Sequence, residues 1–475
     1  MGYSRPLKNL VAVFSGSILA KFFGLILAII LARYLGPEEY GKYAFALSFT
    51  YIFTVIADFG LNDLFVRDIA RDRTTVNKYI AFAIIIKPLL SISSIVCLIV
   101  ALKIINYSNE IILITIVYSL HIIFITLINS FTAIFRSYEK LEYAALIGIL
   151  NGLIALVLIS FVIIFDGTLI QILIFRVITF FLGALISIFL LLKIIAKPDF
   201  SIDLDYIKHH AKKALPFLTI GLIHTLYFNI DIIMLSKMKG DIYVGWYTPA
   251  ANDLFFAILI IPSGIATVIY PMFSRYYSES IEKLREAMNF STKILIILGI
   301  PIGFGTIILA ENIINLIFGD QFSNSIVVLQ IMAFAICFSF IREPYGFGLA
   351  AVGKEKILMW INIISLTLNV LLNLLLIPIY SHVGAAFTTA LCILISLVIS
   401  FYFTNKEIEK LSIIENIFKP LIAAMIMSIF VYVLKDNNLF LVITVGAVIY
   451  GVFILLLKTL TNREMNILKK VIKRT

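Results

Sequence analysis

Residues 29–73 read IILARYLGPEEYGKYAFALSFTYIFTVIADFGLNDLFVRDIARDR. The stretch closes one apolar segment, turns at Gly36-Pro37, runs through a second and leaves through Arg67 and Arg71. The second segment is too long and too apolar for the core helix of a soluble protein, and it carries Asp58 inside it. Its opening returns far downstream. Gly41-Lys42-Tyr43-Ala44-Phe45-Ala46 is echoed by Gly245-Trp246-Tyr247-Thr248-Pro249-Ala250, G-x-Y-x-x-A in both copies. Each copy stands just inside a long apolar run that ends in basic residues, Arg67 and Arg71 in the first and Arg275 in the second. A duplicated membrane segment with charges inside it points to a transporter.

Working outward, the composition agrees. The 475 residues are 61% hydrophobic and 14% charged, with a mean hydropathy of +1.05. That excludes an ordinary soluble globular chain. A net charge of +10 would point to nucleic acid in a soluble protein. Here the basic residues sit in short breaks between apolar runs, so they read as topology signals and headgroup contacts, and no nucleic-acid partner is expected. Cys97, Cys337 and Cys392 lie within apolar runs without paired or metal-binding spacing and read as small apolar fillers. The first run, Asn9 to Leu35, exceeds a signal-peptide core and lacks a small-residue cleavage site before Gly36-Pro37, so it is expected to be a retained span.

Counting runs of about 20 apolar residues predicts about fourteen transmembrane helices, the first pair near 9–34 and 42–66 and the last near 416–434 and 439–457. Placing both termini in the cytoplasm puts 29 of the 38 Lys and Arg on the inner side and 6 on the outer, a strong positive-inside bias. The expected class is therefore an all-α polytopic membrane protein with two six-helix lobes in parallel repeat and two extra C-terminal helices. The lobes fall at 1–195 (spans one to six) and 214–404 (spans seven to twelve). A cytoplasmic linker covers 196–213, and spans thirteen and fourteen with a basic tail occupy 405–475. The stretches 193–213 and 275–293 are read as short amphipathic surface helices or as solvated connectors.

A charge at mid-bilayer costs about 2.5–3.5 kcal/mol on insertion scales, so it is paired or faces a wet cavity. Six residues qualify: Lys21, Asp58, Lys87, Arg176, Asp231 and Asp253. Lys21, Asp58 and Lys87 lie at depths that let them meet within the first lobe. In the functional reading, Lys21, Lys87 and Arg176 face an anionic group such as a phosphate in a cavity between lobes, while the three aspartates balance charge, gate or couple to cations. In the alternative reading they are internal ion pairs that fix helix packing. His121 and His224 read as satisfied buried histidines, and Asn229, Asn362, Asn369 and Asn373 as hydrogen-bonding between helices. Pro216, Pro262, Pro271, Pro301 and Pro378 are candidate kinks. No P-loop, H-E-x-x-H or Cys/His cluster occurs, and no polar loop is large enough for a soluble active site, so the chain is not expected to be an enzyme.

The opening stretch resembles the oligosaccharide/polysaccharide flippases of the multidrug/oligosaccharidyl-lipid/polysaccharide exporter superfamily. The residues that carry the likeness are Ala32 to Gly41 (ARYLGPEEYG), Asp58-Phe59-Gly60-Leu61 and Arg67-Asp68-Ile69-Ala70-Arg71. A second set is Asn229 to Leu235 (NIDIIML) with Val244 to Ala250, and a third is Ile261-Pro262 leading to Tyr270-Pro271-Met272-Phe273-Ser274-Arg275. The resemblance implies two six-helix lobes, a central cavity, alternating access, and movement of a lipid-linked sugar from the cytoplasmic to the outer leaflet of the cell membrane. Cationic cavity residues of such flippases correspond best to Lys21; for Lys87 and Arg176 the argument is depth alone.

The expected partners are a polyprenyl-linked saccharide and the lipid bilayer, with polysaccharide-assembly enzymes left open. No cofactor is expected, and coupling to an ion gradient or the membrane potential is left open. A cation-coupled exporter of small organic cations or drugs on the same fold is the alternative. It wants a net acidic cavity, which three cations against three aspartates do not favour. A membrane-embedded glycosyl- or acyltransferase would need a polar catalytic loop that the chain lacks.

Overall fold

The structure, a computed structural model, describes residues 4–201, 204–408, 411, 413–461 and 464–465. The basic tail beyond Met465 and linker residues 202–203 lie outside the described residues. All regular structure among the described residues is helical. In order the helices are α1 (Ser4–Asp58), α2 (Leu61–Arg71), α3 (Val76–Ile104), α4 (Asn109–Ser119), α5 (His121–Ser137), α6 (Leu141–Ile164), α7 (Leu169–Ile194) and α8 (Leu204–Lys239). Then come α9 (Asp241–Thr248), a π-helical segment (Pro249–Leu254), α10 (Phe255–Ile258), α11 (Ile260–Glu279), α12 (Ile281–Ile317), α13 (Ser325–Ala351), α14 (Glu355–Ile408), α15 (Ile414–Leu434) and α16 (Leu439–Leu456).

Twelve helical stretches among the described residues are long and apolar enough to cross a membrane, so the chain is a multi-pass membrane protein. Two of them, Leu19–Arg71 and Glu355–Ile408, run to 53 and 54 residues. A 30 Å hydrocarbon core needs only about 20. Both are broken near the middle. Gly36 takes φ 71 and ψ 174, a conformation open to glycine, and Pro37 then starts the next helix where its missing N–H costs nothing. In α14 the break is at Ser381, φ 52 and ψ −129, three residues past Pro378.

The chain divides into two compact units, Met1–Gly245 and Trp246–Thr475. The core of the first gathers the apolar stripe Leu61, Leu64, Phe65 and Ile69 of α2, helical spacing that gives one buried face. It packs on Tyr79, Phe82 and Ala83 of α3 and on Phe131, Ile134 and Phe135 of α5. Helix α8 begins at Leu204, so the second half of the stretch 193–213 is helix continuous with the apolar segment that follows. The stretch 275–293 is likewise no separate surface helix: α11 and α12 nearly meet there, with Ser280 capping α12 by accepting from the Lys283 amide.

The echoed glycines meet inside the first unit. A Cβ on Gly41 would land on the carbonyl oxygen of Asp241 and 2.9 Å from the Gly245 nitrogen. A Cβ on Gly245 would land on the carbonyl oxygen of Pro37 and 3.0 Å from the Pro37 Cα. The chain around the two glycines therefore crosses backbone to backbone and reciprocally: each glycine faces the carbonyl four residues before the other. Small residues at such crossings let membrane helices approach.

In the second unit, α15 and α16 pack on α12, with core residues Met288 and Ile296 beside Ala423, Ala424, Met427, Val442 and Ile454. The Tyr450 hydroxyl donates to the Ile297 carbonyl at 2.9 Å. The Lys293 ammonium holds Glu464 at 2.9 Å. Burial alone would raise the Glu464 carboxyl, but the Thr461 amide and Lys293 outweigh it and hold it below the usual glutamate range. A depressed carboxylate stabilises above its unfolded pKa, and the contribution is lost as pH falls through the folded value. A spin label on Met465→Cys is therefore expected to be immobile at neutral pH and mobile in acid, while adding Glu464→Gln mobilises it at both.

Candidate functional site: a charged pair beside a polar cavity

Helix α1 ends at Asp58 because Phe59 and Gly60 both take left-handed backbone, φ 56 and 71. Gly60 also has no room for a side chain: a Cβ would lie 2.6 Å from the Ala214 carbonyl oxygen of α8. The break leaves the Asp58 carbonyl without a helical partner. Lys87 of α3 fills that vacancy. Its ammonium donates to the Asp58 carbonyl at 2.9 Å, to Asp58 Oδ1 at 2.6 Å and to Asn62 Oδ1 at 3.3 Å. Three donors thus meet three acceptors. Lys87 is 0% exposed, the Asp58 side chain 21%, and the Phe65 ring closes over the ammonium at 5.8 Å.

The pair is anchored in hydroxyls. Ser130 donates to Asn62 Oδ1 at 2.9 Å and to the Thr126 carbonyl at 2.8 Å. Ser91 donates to the Lys87 carbonyl at 2.7 Å and lies 3.0 Å from the Thr126 hydroxyl. The exposed side of Asp58 opens on a cavity of about 290 Å³ inside the first unit. Tyr51, Asn62, Asp63, Asn129 and Arg136 line it from α1, α2 and α5, and Phe217 and Gly221 from α8.

Of the six residues singled out from sequence, Asp58 and Lys87 pair with each other. Lys21 stays out of the pair: its side chain is exposed and no ion pair holds it among the described residues. Arg176 meets no carboxylate there. Its guanidinium donates to the Tyr43 and Tyr118 hydroxyls and stacks 5.2 Å from the Phe180 ring centre. Its Nε has no hydrogen-bond partner among the described residues. Asp231 is buried in α8, and Asp253 is partly buried in the π-helical segment of the second unit.

His121 is a satisfied core histidine, its Nδ1 2.6 Å from the Tyr118 carbonyl. Two asparagine bonds run along a helix: Asn229 donates to the Thr225 carbonyl and Asn373 to Asn369 Oδ1.

The tyrosines of the echoed motif occupy matching places. In the first unit Tyr43 reaches Arg176 on α7. In the second, Tyr247 lies 3.2 Å from the Thr389 hydroxyl on the later half of α14. Sequence reasoning missed both contacts and the amides and hydroxyls around Lys87. The G-x-Y repeat marked the tyrosines, but only the fold shows which helix each one reaches.

The sequence profile of the polysaccharide biosynthesis protein family matches residues 7–277, and that of the MatE family residues 216–375. The capsular polysaccharide biosynthesis protein CapF of Staphylococcus aureus is 26% identical over 84% of this chain and 99% of its own length. Other relatives match over shorter shares. The lipopolysaccharide biosynthesis protein WzxC of Escherichia coli is 27% identical over 30% of this chain and 29% of its own. The probable lipid II flippase MurJ of Rickettsia prowazekii is 26% identical over 39% and 38%. Among solved structures, lipid II flippase MurJ in an inward closed conformation superposes with TM-score 0.78 at 15% identity, over 94% of this chain and 98% of that one. An inward-facing multidrug resistance MATE transporter superposes with TM-score 0.68 at 16% identity, over 84% and 98%. Those two likenesses concern the fold.

Proposed function

Because the chain belongs to the polysaccharide biosynthesis protein family, we propose that it is a flippase for a lipid-linked oligosaccharide or polysaccharide precursor, moved from the inner to the outer leaflet by alternating access. The observation that carries this reading is the end-to-end relation to a capsular polysaccharide biosynthesis protein, 99% of whose length is matched. The physics agrees. A saccharide on a polyprenyl diphosphate has a charged, hydrophilic head that hydrocarbon excludes, and a cation on the path, such as Lys21, lowers that barrier while the tail stays in lipid.

Dividing the two long helical stretches at Gly36 and Ser381 turns twelve into fourteen crossings. Six belong to each lobe, 1–195 and 214–404, and two to the C-terminal region. Both termini then face the cytoplasm and the protein resides in the plasma membrane. Lys21 is the cation for the diphosphate, since it is exposed and has no ion pair among the described residues while Lys87 is consumed by Asp58. Arg176, Asp231 and Asp253 complete the charge balance of the path.

The test is leaflet translocation of a native lipid-linked saccharide pool in proteoliposomes of the purified protein. Lys21→Ala is expected to slow it roughly ten- to hundredfold, the loss of one charge-assisted contact, with no loss of folded protein. Normal transport by the variant would remove Lys21 from the path. No translocation by the wild type under any ion gradient would favour export of small organic cations, the reading that the MatE match over 216–375 supports.

A further inference from the structure

The cavity beside Asp58 holds side chains that the ion pair leaves unused. Lys87 spends its three donors on Asp58 and Asn62 and is 0% exposed, so its charge is closed to any ligand. Asn62 uses its Oδ1 twice, on Lys87 and on Ser130, which leaves its amide N–H groups. The side chains of Asp63, Asn129 and Arg136 make no hydrogen bond to another described residue, yet all three line the same cavity. Tyr51 adds an aromatic ring that is 54% exposed.

The chemistry of this wall selects its ligand. A diphosphate would meet two carboxylates, Asp58 and Asp63. A metal cation would meet the Arg136 guanidinium and an aspartate already committed to Lys87. An uncharged polyol meets neither obstacle. Each hydroxyl both donates and accepts, so neighbouring ring hydroxyls bridge a carboxylate on one side and an amide or guanidinium on the other. The apolar face of a pyranose lies against an aromatic ring, as amphipathic ligands do. At about 290 Å³ the cavity stands at the lower edge of small-molecule sites and suits one ring, not a polymer.

We propose that this cavity is a sugar subsite that binds one uncharged pyranose, a hexose or an N-acetylhexosamine, of the saccharide head. Asp58 and Asp63 accept from its hydroxyls, Asn62, Asn129 and Arg136 donate to them, and Tyr51 lies against its apolar face. The assignment deepens the flippase reading and rests on it: the diphosphate is held by Lys21, and sugar preference is set separately, at the end of the first unit that carries Arg136.

The test is direct binding by the full-length protein in a sugar-free detergent such as lauryldimethylamine oxide. Saturation-transfer NMR is run with N-acetylglucosamine, N-acetylgalactosamine, galactose and glucose in turn. At least one is expected to bind with roughly millimolar affinity. Tyr51→Ala and Asn129→Ala are each expected to weaken it about five- to tenfold while thermal unfolding is unchanged, and inorganic pyrophosphate should not compete. If none of the four sugars gives a signal above that of the variants, or if pyrophosphate displaces the bound sugar, the subsite is wrong. Translocation in proteoliposomes separates the two readings. A wild type that binds sugar but moves no lipid-linked saccharide loses the flippase reading and keeps the subsite. One that moves it while both variants bind sugar like the wild type loses the subsite and keeps the flippase.

Discussion

Asp58→Ala is expected to lower stability by about 3 kcal/mol, toward the lower end of the range for breaking a buried ion pair. The reason is Lys87. The substitution strips the 2.6 Å carboxylate contact from an ammonium that is 0% exposed and cannot reach water. The cost stays at the lower end because the Asp58 carbonyl and Asn62 Oδ1 remain as acceptors. Adding Lys87→Met should recover most of the loss, since an apolar side chain of similar length has no charge to satisfy. The measurement is thermal unfolding in detergent for wild type, both single variants and the double variant. If the double variant is as unstable as the sum of the singles, the pair is not an energetic unit. The combination also parts stability from function: with Asp58 lost from the cavity wall, the recovered double variant is expected to fold yet bind sugar poorly.

The second large effect is at the crossing of the echoed motifs. Gly245→Ala is expected to destabilise the protein by about 1–3 kcal/mol, the cost of overpacking a close-packed site. The upper part of that range applies because the new methyl would meet backbone, the Pro37 carbonyl and Cα, which cannot rotate away. Gly41→Ala should behave alike, since its methyl would meet the Asp241 carbonyl and the Gly245 nitrogen. Gly240→Ala makes a useful contrast. No atom lies near its Cβ, so its cost is only that of holding φ +103 without glycine. Unfolding temperatures that leave Gly41→Ala and Gly245→Ala at the wild-type value would refute the backbone-to-backbone crossing.

Much of the architecture was legible because apolar length and loop charge act locally. A run of about 20 apolar residues is helical in a bilayer whatever its neighbours, since every backbone group must be satisfied within the segment. The Gly36-Pro37 break was readable for the same reason, as φ 71 suits glycine and Pro37 starts a helix. The break between the eleventh and twelfth spans was legible too, where Pro378 and the polar Ser381-His382 interrupt the apolar run, but a serine carries no local signal that it would take φ 52.

Charge within a span marks a residue as costly without naming its partner. Depth along the helices was enough to bring Asp58 and Lys87 together, and equally enough to include Lys21, which the fold leaves exposed and outside the pair. Among the described residues Arg176 likewise turned to the hydroxyls of Tyr43 and Tyr118, not to an aspartate.

By itself, then, the sequence determined a helical membrane chain with an internal echo and a short roster of buried charges, since those follow from composition and spacing along the chain. Only the tertiary structure decided which charges neutralise one another, that the two echoed glycines face each other, and that Asp63, Asn129 and Arg136 share one cavity with Tyr51. Those outcomes depend on helix rotation and on distances between segments far apart in sequence. A single helix looks much the same to its own residues at every rotation, and the choice among rotations is made by packing against its neighbours.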